Sequence, residues 1–264
     1  SWQWVGGNCG RHGSYVFYKA FRYHITSEPT RLPSLPNTPR ERILALGEFF
    51  FVQCRPEDPV CVGELQLLWH DKHSGQDLAS TRLYYLPDTT PAGRTSQHGE
   101  DEMLAVSEKI VMRTTDLASW LVEPEEWNYG SPLLLTPKPP NGGVIQPTTP
   151  PLHRYSLLHS SVNMQDVLME RKALNTSSKN AEVLMLSVSA YCRHKALMKR
   201  IEGTERDWLE RPGAGLMLAA LGIFTSDNPR ARVVFCRDTF DYPQLFEHDL
   251  ICEELAPVFK GRPR

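Results

Sequence analysis

Hydrophobic positions along the chain change their period several times, and each change marks a segment. The first 25 residues are dense in aromatics: Trp2, Trp4, Tyr15, Phe17, Tyr18, Phe21 and Tyr23. Tyr15, Phe17, Phe21 and Tyr23 fall on odd positions, with Lys19 and Arg22 breaking in, which predicts a β-strand burying aromatics on at least one face. Pro29, Pro33, Pro36 and Pro39 then predict an exposed loop, because proline fixes φ and lacks the N–H that regular structure uses. From residue 43 to 122, short apolar runs alternate with turn signals. Strands are expected at 47–54 (closed by Pro56 and Pro59), 60–69, 83–86 (stopped by Pro87), 103–106 and 109–113. Thr115 or Asp116 is placed to cap a short helix through Ala118 and Trp120.

The second half reads differently. Residues 131–151 hold seven prolines and Asn141-Gly142-Gly143, the composition of a linker or surface excursion. Beyond it the pattern predicts a helix at 162–174, with Val167, Leu168 and Met169 among its apolar positions, and a buried strand at 182–188. A second helix follows at 189–202, with Tyr191, Ala196, Leu197 and Ile201 inward and Arg193, Lys195, Lys199 and Arg200 outward. A buried helix at 215–224, a strand at 233–236 and a short helix at 242–250 complete the series. The fold class is mixed α+β: a β-rich core, either a small barrel or a folded sheet, carrying an α/β C-terminal extension. The apolar runs 183–186 and 216–224 need cover, so the extension is expected to pack on the core. The resulting division is a β-rich domain at 1–130 with a proline-rich loop at 28–42, a linker at 131–152, the extension at 153–259 and a basic end at 260–264. No internal repeat stands out.

Composition narrows the function classes. The 264 residues are 41% hydrophobic and 23% charged, which fits one large domain or two ordinary ones around a sizeable core. Twenty-nine basic against 31 acidic side chains give a formal net charge of −2. That argues against a broad DNA-gripping face, though not against a short basic element. The longest apolar run, 216–224, is too short to span a bilayer, and no basic-then-apolar leader opens the chain, so no membrane partner is expected. Six cysteines without a tight framework read as reduced thiols inside the cell.

Candidate chemistry is sparse. Cys9-Gly10-Arg11-His12 and His70-Asp71-Lys72-His73 each have the spacing of half a zinc site, but a closed site needs four convergent ligands, so no metal is assigned. There is no nucleophile elbow, phosphate loop or dinucleotide fingerprint. Glu100-Asp101-Glu102 would point in different directions and is expected to be a solvated loop. No catalytic residue, cofactor or small-molecule substrate follows, and the chain is read as non-enzymatic. Trp69, Tyr84 and Tyr85 are candidates for an aromatic binding surface, such as a cage for methylated lysine, although strand aromatics are more often core. Lys260-Gly261-Arg262-Pro263-Arg264 is the sharpest short motif. Its narrow Gly-Arg-Pro centre with flanking cations suits the minor groove of AT-rich DNA, in the manner of an AT-hook. Thr38-Pro39, Ser131-Pro132, Thr136-Pro137 and Thr149-Pro150 offer proline-directed phosphorylation sites.

Several blocks resemble a known family. The segments 47–52, 63–69 and 83–89, then His98-Gly99-Glu100-Asp101-Glu102 and the 106–110 stretch, resemble a bromo-adjacent homology (BAH) domain. Trp4-Val5-Gly6, Phe17-Tyr18-Lys19-Ala20-Phe21, Cys236-Arg237-Asp238-Thr239-Phe240-Asp241 and Lys260-Gly261-Arg262-Pro263-Arg264 narrow this further. In that order they resemble the N-terminal region of the AT-rich interactive domain proteins of the 5B, or modulator recognition factor, type. The 28–42 and 131–151 segments depart from the family pattern, and the AT-rich interactive domain itself is not found in the sequence. The resemblance implies a nuclear transcription coregulator that docks to chromatin, histones or another coregulator. Its full-length relatives bind AT-rich DNA and work with a jumonji-type histone demethylase. The alternative is a nucleic-acid-binding protein acting mainly through residues 260–264.

Overall fold

A computed structural model describes residues 2–25, 40–107, 109–124, 127–132, 163, 165–174, 183–203 and 232–238. The chain begins with β1 (Trp2–Trp4), β2 (Gly10–His12), β3 (Tyr15–Tyr18), β4 (Ala20–Ile25) and β5 (Arg40–Ala45). It continues with β6 (Phe49–Val52), β7 (Cys61–Asp71), β8 (Gln76–Tyr85), β9 (Leu104–Ala105) and β10 (Ile110–Arg113). These make two antiparallel sheets: β1-β4-β5, and a larger one in the order β10-β8-β7-β3-β2, with β6 also on β7 and β9 also on β8. The end strands β10 and β2 do not pair with each other, so the described strands form open sheets and no closed barrel.

The aromatic strand expected across residues 15–23 is two strands. Alternation breaks at Lys19, where the chain leaves the larger sheet and enters the smaller one, as strands do at the corners of packed sheets. The corner is fixed by Leu46 N donating to Lys19 O at 2.8 Å and Val5 N donating to Ala20 O at 3.0 Å. Along β7, residues 61–69 are buried on both faces, so apolar residues dominate the run instead of alternating, and its polar Glu64 and Gln66 are buried with them. Its partner β8 starts at Gln76, seven residues before the strand expected at 83, because buried Ser80 and Thr81 interrupt the apolar signal. At the centre of the sheet Thr81 Oγ1 donates to Ile110 O at 3.4 Å, whereas Ser80 Oγ has no hydrogen-bond partner among the described residues.

Helix α1 (Thr114–Trp120) lies where expected, but neither Thr115 nor Asp116 caps it. Arg113 occupies the cap position, and Asp116 instead accepts from Arg113 Nε at 2.7 Å. The extension contributes β11 (Ser131–Pro132), α2 (Gln165–Ala173), β12 (Val183–Ser187), α3 (Val188–Gly203) and β13 (Arg232–Cys236). Its strands form a third sheet, β11-β13-β12, in which β12 and β13 run parallel. This sheet packs on the core as expected: Val183, Met185, Val234 and Cys236 share one buried cluster with Phe51, Val62, Tyr84, Leu86, Met103 and Ala105.

Two further boundaries and one helix face differ from the sequence reading. Residues 40–42 of the expected 28–42 loop belong to β5, where Arg42, Glu41 and Arg40 pair with Tyr23, His24 and Ile25. Residues 131 and 132 of the expected linker are β11, pairing with Val233 and Arg232. On α2, Val167 is buried while Met169 is 70% exposed. On α3 the inward stripe is Ala190, His194 and Leu197, with Tyr191 half-buried and Ala196 exposed. That stripe keeps helical spacing but passes through a histidine, which a reading of apolar positions alone misses. The expected helices at 215–224 and 242–250 and the basic end at 260–264 lie outside the described residues. Among the described residues no helix is long and apolar enough to cross a membrane.

Candidate interaction surface and buried acidic latch

Trp69, Tyr84 and Tyr85, the residues singled out as an aromatic surface, are buried and separated. Trp69 packs with Phe17, Leu67, Leu78 and Val111 on one side of the large sheet. Tyr84 faces the extension, and Tyr85, the next residue along the strand, points into the main core. They do not present a surface, because their strands are covered on both faces. Nor do the paired Cys and His residues converge: His70 Nδ1 meets Asp77 Oδ1 at 2.8 Å across the β7–β8 hairpin. Among the described residues no group of three or more His, Cys, Asp or Glu is arranged to hold a metal ion.

One aromatic area that reaches solvent is at the chain start; exposed Tyr129, edge to face with Trp127 at 5.2 Å, is another. On β1, Trp2 and Trp4 share a face by the two-residue repeat of a strand, and both are half-buried. Their rings meet edge to face at 4.9 Å, and Trp4 stacks on half-buried Tyr18 of β3 at 4.3 Å with the planes 6° apart. Half-buried Trp120, at the end of α1, packs against the same core cluster. These rings form a ledge seated on the core with their outer edges open. A signal was present in the sequence, since Trp2 and Trp4 are two apart in an otherwise polar opening, but exposure could not be read from it.

Around Asp101 and Glu102 the structure overturns the expectation of a solvated loop. Glu100 is exposed, whereas Asp101 and Glu102 are buried at the seam between core and extension. Backbone bonds come first: Phe235 N donates to Asp101 O at 3.0 Å, and Met103 N donates to Phe235 O at 2.8 Å. The loop is thereby added alongside β13. Asp101 Oδ2 accepts from Ser131 Oγ at 2.6 Å and from the Tyr191 hydroxyl, with Lys195 Nζ 3.9 Å away. Glu102 accepts from Gly99 N and from Arg237 Nε, each at 2.8 Å. Arg94 holds the loop from below, donating to Asp88 Oδ2 at 2.9 Å and to the carbonyls of Gly99 and Glu102. Above it, Tyr191 stacks on Phe235 at 4.3 Å. Burial and the neighbouring Asp101 carboxylate both raise the Tyr191 phenol above its ordinary pKa, so it remains a donor. Buried carboxylates survive here because they are paired and hydrogen-bonded. The arrangement is a latch across four segments: the 99–103 loop, β11, β13 and α3.

Two further ionisable groups are buried. Tyr84 OH donates to Glu64 Oε2 at 2.9 Å, and desolvation raises the Glu64 carboxyl to about 7 despite that bond and the nearby Arg82. His194 is fully buried, and neither ring nitrogen has a hydrogen-bond partner among the described residues. Burial, reinforced by Lys195 and opposed by Asp101, lowers its pKa to about 4.

No family model matches the chain. Over 265 residues, all of this chain, it is 42% identical to the AT-rich interactive domain-containing protein 5B of Canis lupus familiaris, covering 21% of that protein. The chain is a relative of the 5B-type AT-rich interactive domain proteins. The mouse 5B protein (Mus musculus) is 43% identical over 267 residues, again all of this chain and 21% of the relative. For the zebrafish 5B protein (Danio rerio) the match is 38% over 118 residues, 43% of this chain and 11% of that protein. The chain thus spans about a fifth of the length of the 5B proteins of dog and mouse.

Proposed function

We propose that this chain is a non-enzymatic docking module of a nuclear transcription regulator, and that its core is a BAH-like domain. The observation that carries the reading is the identity to 5B-type proteins along the whole chain. What the chain would contribute is contact with chromatin, meaning a histone surface or a coregulator such as a jumonji-type demethylase. AT-rich DNA would be held elsewhere in the full-length protein and, secondarily, by Lys260, Gly261, Arg262, Pro263 and Arg264 entering a minor groove. A rigid core latched to its extension suits docking, since a surface set on fixed elements loses little conformational freedom on binding.

The ledge of Trp2, Trp4 and Tyr18 is the proposed contact face. Tryptophan and tyrosine dominate interface hot spots because they bury large area with few rotatable bonds. Trp2→Ala tests this, because Trp2 is at the outer edge of the smaller sheet and its loss leaves Phe21, Leu44 and Leu65 in place. In nucleosome titrations the variant is expected to bind about tenfold or more weakly, with an unchanged circular dichroism spectrum. Equal affinity for the variant and the parent chain would remove the ledge from the reading.

A further inference from the structure

The latch holds one group whose chemistry the docking reading does not use. Ser131 begins β11 and is followed by Pro132, so the dipeptide has the form that proline-directed protein kinases accept. Its hydroxyl is not idle: Ser131 Oγ donates to Asp101 Oδ2 at 2.6 Å and accepts from Lys195 Nζ at 3.2 Å. We propose that Ser131 is a phosphorylation site, and that its modification unfastens the latch.

Access comes from the local structure. β11 is two residues long and occupies the edge of the third sheet. Pro132 is exposed and has no N–H to donate, so the edge is held by few bonds. Before it, Gly130 turns the chain at φ +87°, beside the carbonyl of Val233. Short edge segments of this kind open locally at a small fraction of the global unfolding free energy. Opened, Ser131-Pro132 is an extended segment, because proline disfavours the helical conformation in the residue before it. The kinase then transfers the γ-phosphoryl group of a nucleoside triphosphate. An Oγ–P bond forms, the bond from phosphorus to the bridging oxygen breaks, the nucleoside diphosphate leaves, and the hydroxyl proton passes to the kinase's base.

Reclosure is opposed by charge and by lost donation. The unmodified hydroxyl donates a proton to Asp101; a phosphate has none to give at neutral pH and carries about −1.5 to −2. Asp101 is 5% exposed, so the phosphate would return to a poorly screened site against its carboxylate. Lys195 is the cation that already bonds the Ser131 hydroxyl, and it stands 3.9 Å from Asp101. The phosphoserine therefore stays out, exposing the edge of β13 from Arg232 to Val233.

The whole chain would be treated with a proline-directed Ser/Thr kinase and ATP. Phosphopeptides would be mapped by mass spectrometry, and amide exchange followed over residues 232–236. Ser131→Ala controls for modification elsewhere, and Tyr191→Phe loosens the latch without touching Ser131. Phosphate on Ser131 is expected in the unaltered chain, appearing several-fold faster in Tyr191→Phe. Exchange over 232–236 should rise by about tenfold in the modified chain relative to treated Ser131→Ala. Absence of phosphate at Ser131 in the unaltered chain would overturn the proposal. So would phosphate with unchanged exchange, since Lys195 would then be holding it inside a closed latch.

Discussion

Glu64 and His194 bend the stability curve in opposite directions, and each can be isolated by one substitution. The Glu64 carboxyl rises from 4.5 to about 7 on folding, so between those values the folded chain binds more protons than the unfolded one. Stability from this residue is therefore highest at acid pH and falls as pH climbs towards 7; the shift corresponds to about 3 kcal/mol. Glu64→Gln keeps an acceptor for Tyr84 and removes the ionisation. The variant should melt higher than the parent at pH 8, with the difference shrinking towards pH 4.5. For His194 the folded pKa is lowered to about 4 from 6.5, so the unfolded chain binds more protons in that interval. Its penalty is absent above pH 7 and grows as pH falls through 6.5 towards 4. His194→Leu should flatten that acid limb and, by removing two ring nitrogens unpartnered among the described residues, should not lower the melting temperature at pH 8. A parallel acid loss in parent and variant would show that another group sets the limb.

Elements were legible wherever local pattern decided them. β6, β7, β10, α1, β12 and β13 were all visible as apolar runs bounded by proline or polar turns. What the pattern concealed was set by contacts distant in sequence. β3 and β4 read as one strand because their aromatics keep odd spacing across Lys19, while the corner there depends on Leu46. The start of β8 was hidden by Ser80 and Thr81, polar residues that the sheet nevertheless buries completely. The orientation of helix α2 is likewise set by contacts distant in sequence. Its inner face is clamped by charge, with Asp166 on Lys19 at 2.7 Å and Arg171 donating to Ile43 O at 2.8 Å, and this leaves apolar Met169 outside. Two methionines check this orientation by thermal or urea unfolding. Met103→Ala, at a fully buried position, should cost about 2–5 kcal/mol. Met169→Ala should stay within about 0.5 kcal/mol. At the latch, Gly130→Ala would place a methyl group 2.8 Å from Val233 O at a positive φ, and should loosen β11 selectively. Faster amide exchange at 232–236, with little change in β7 and β8, is the expected signature.

At the scale of the whole molecule, mixed α+β character and the packing of the extension were both readable, because uncovered apolar runs demanded partners. The candidate site was less so. Residues chosen for aromatic character at 69, 84 and 85 are core. Asp101 and Glu102, two of an acidic triplet expected to be solvated, lie in the seam between the two parts, since burial of a charge depends on donors arriving from residues 131, 191 and 237. That seam makes core and extension one mechanical body over the described residues, which suits a module presenting a fixed surface. Along its whole length the chain is similar to 5B-type proteins, whose name carries an AT-rich interactive domain. Its own proposed contribution is contact by the folded core. The most direct test titrates the intact chain, and the chain lacking residues 260–264, on a nucleosome and on the same AT-rich DNA as naked duplex, each at two salt concentrations. Both chains should bind the nucleosome, and only the intact chain should hold naked duplex, with the steeper salt dependence of a phosphate-contacting segment. Loss of all nucleosome binding on removing those five residues would contradict the account and leave the basic end as the chromatin contact.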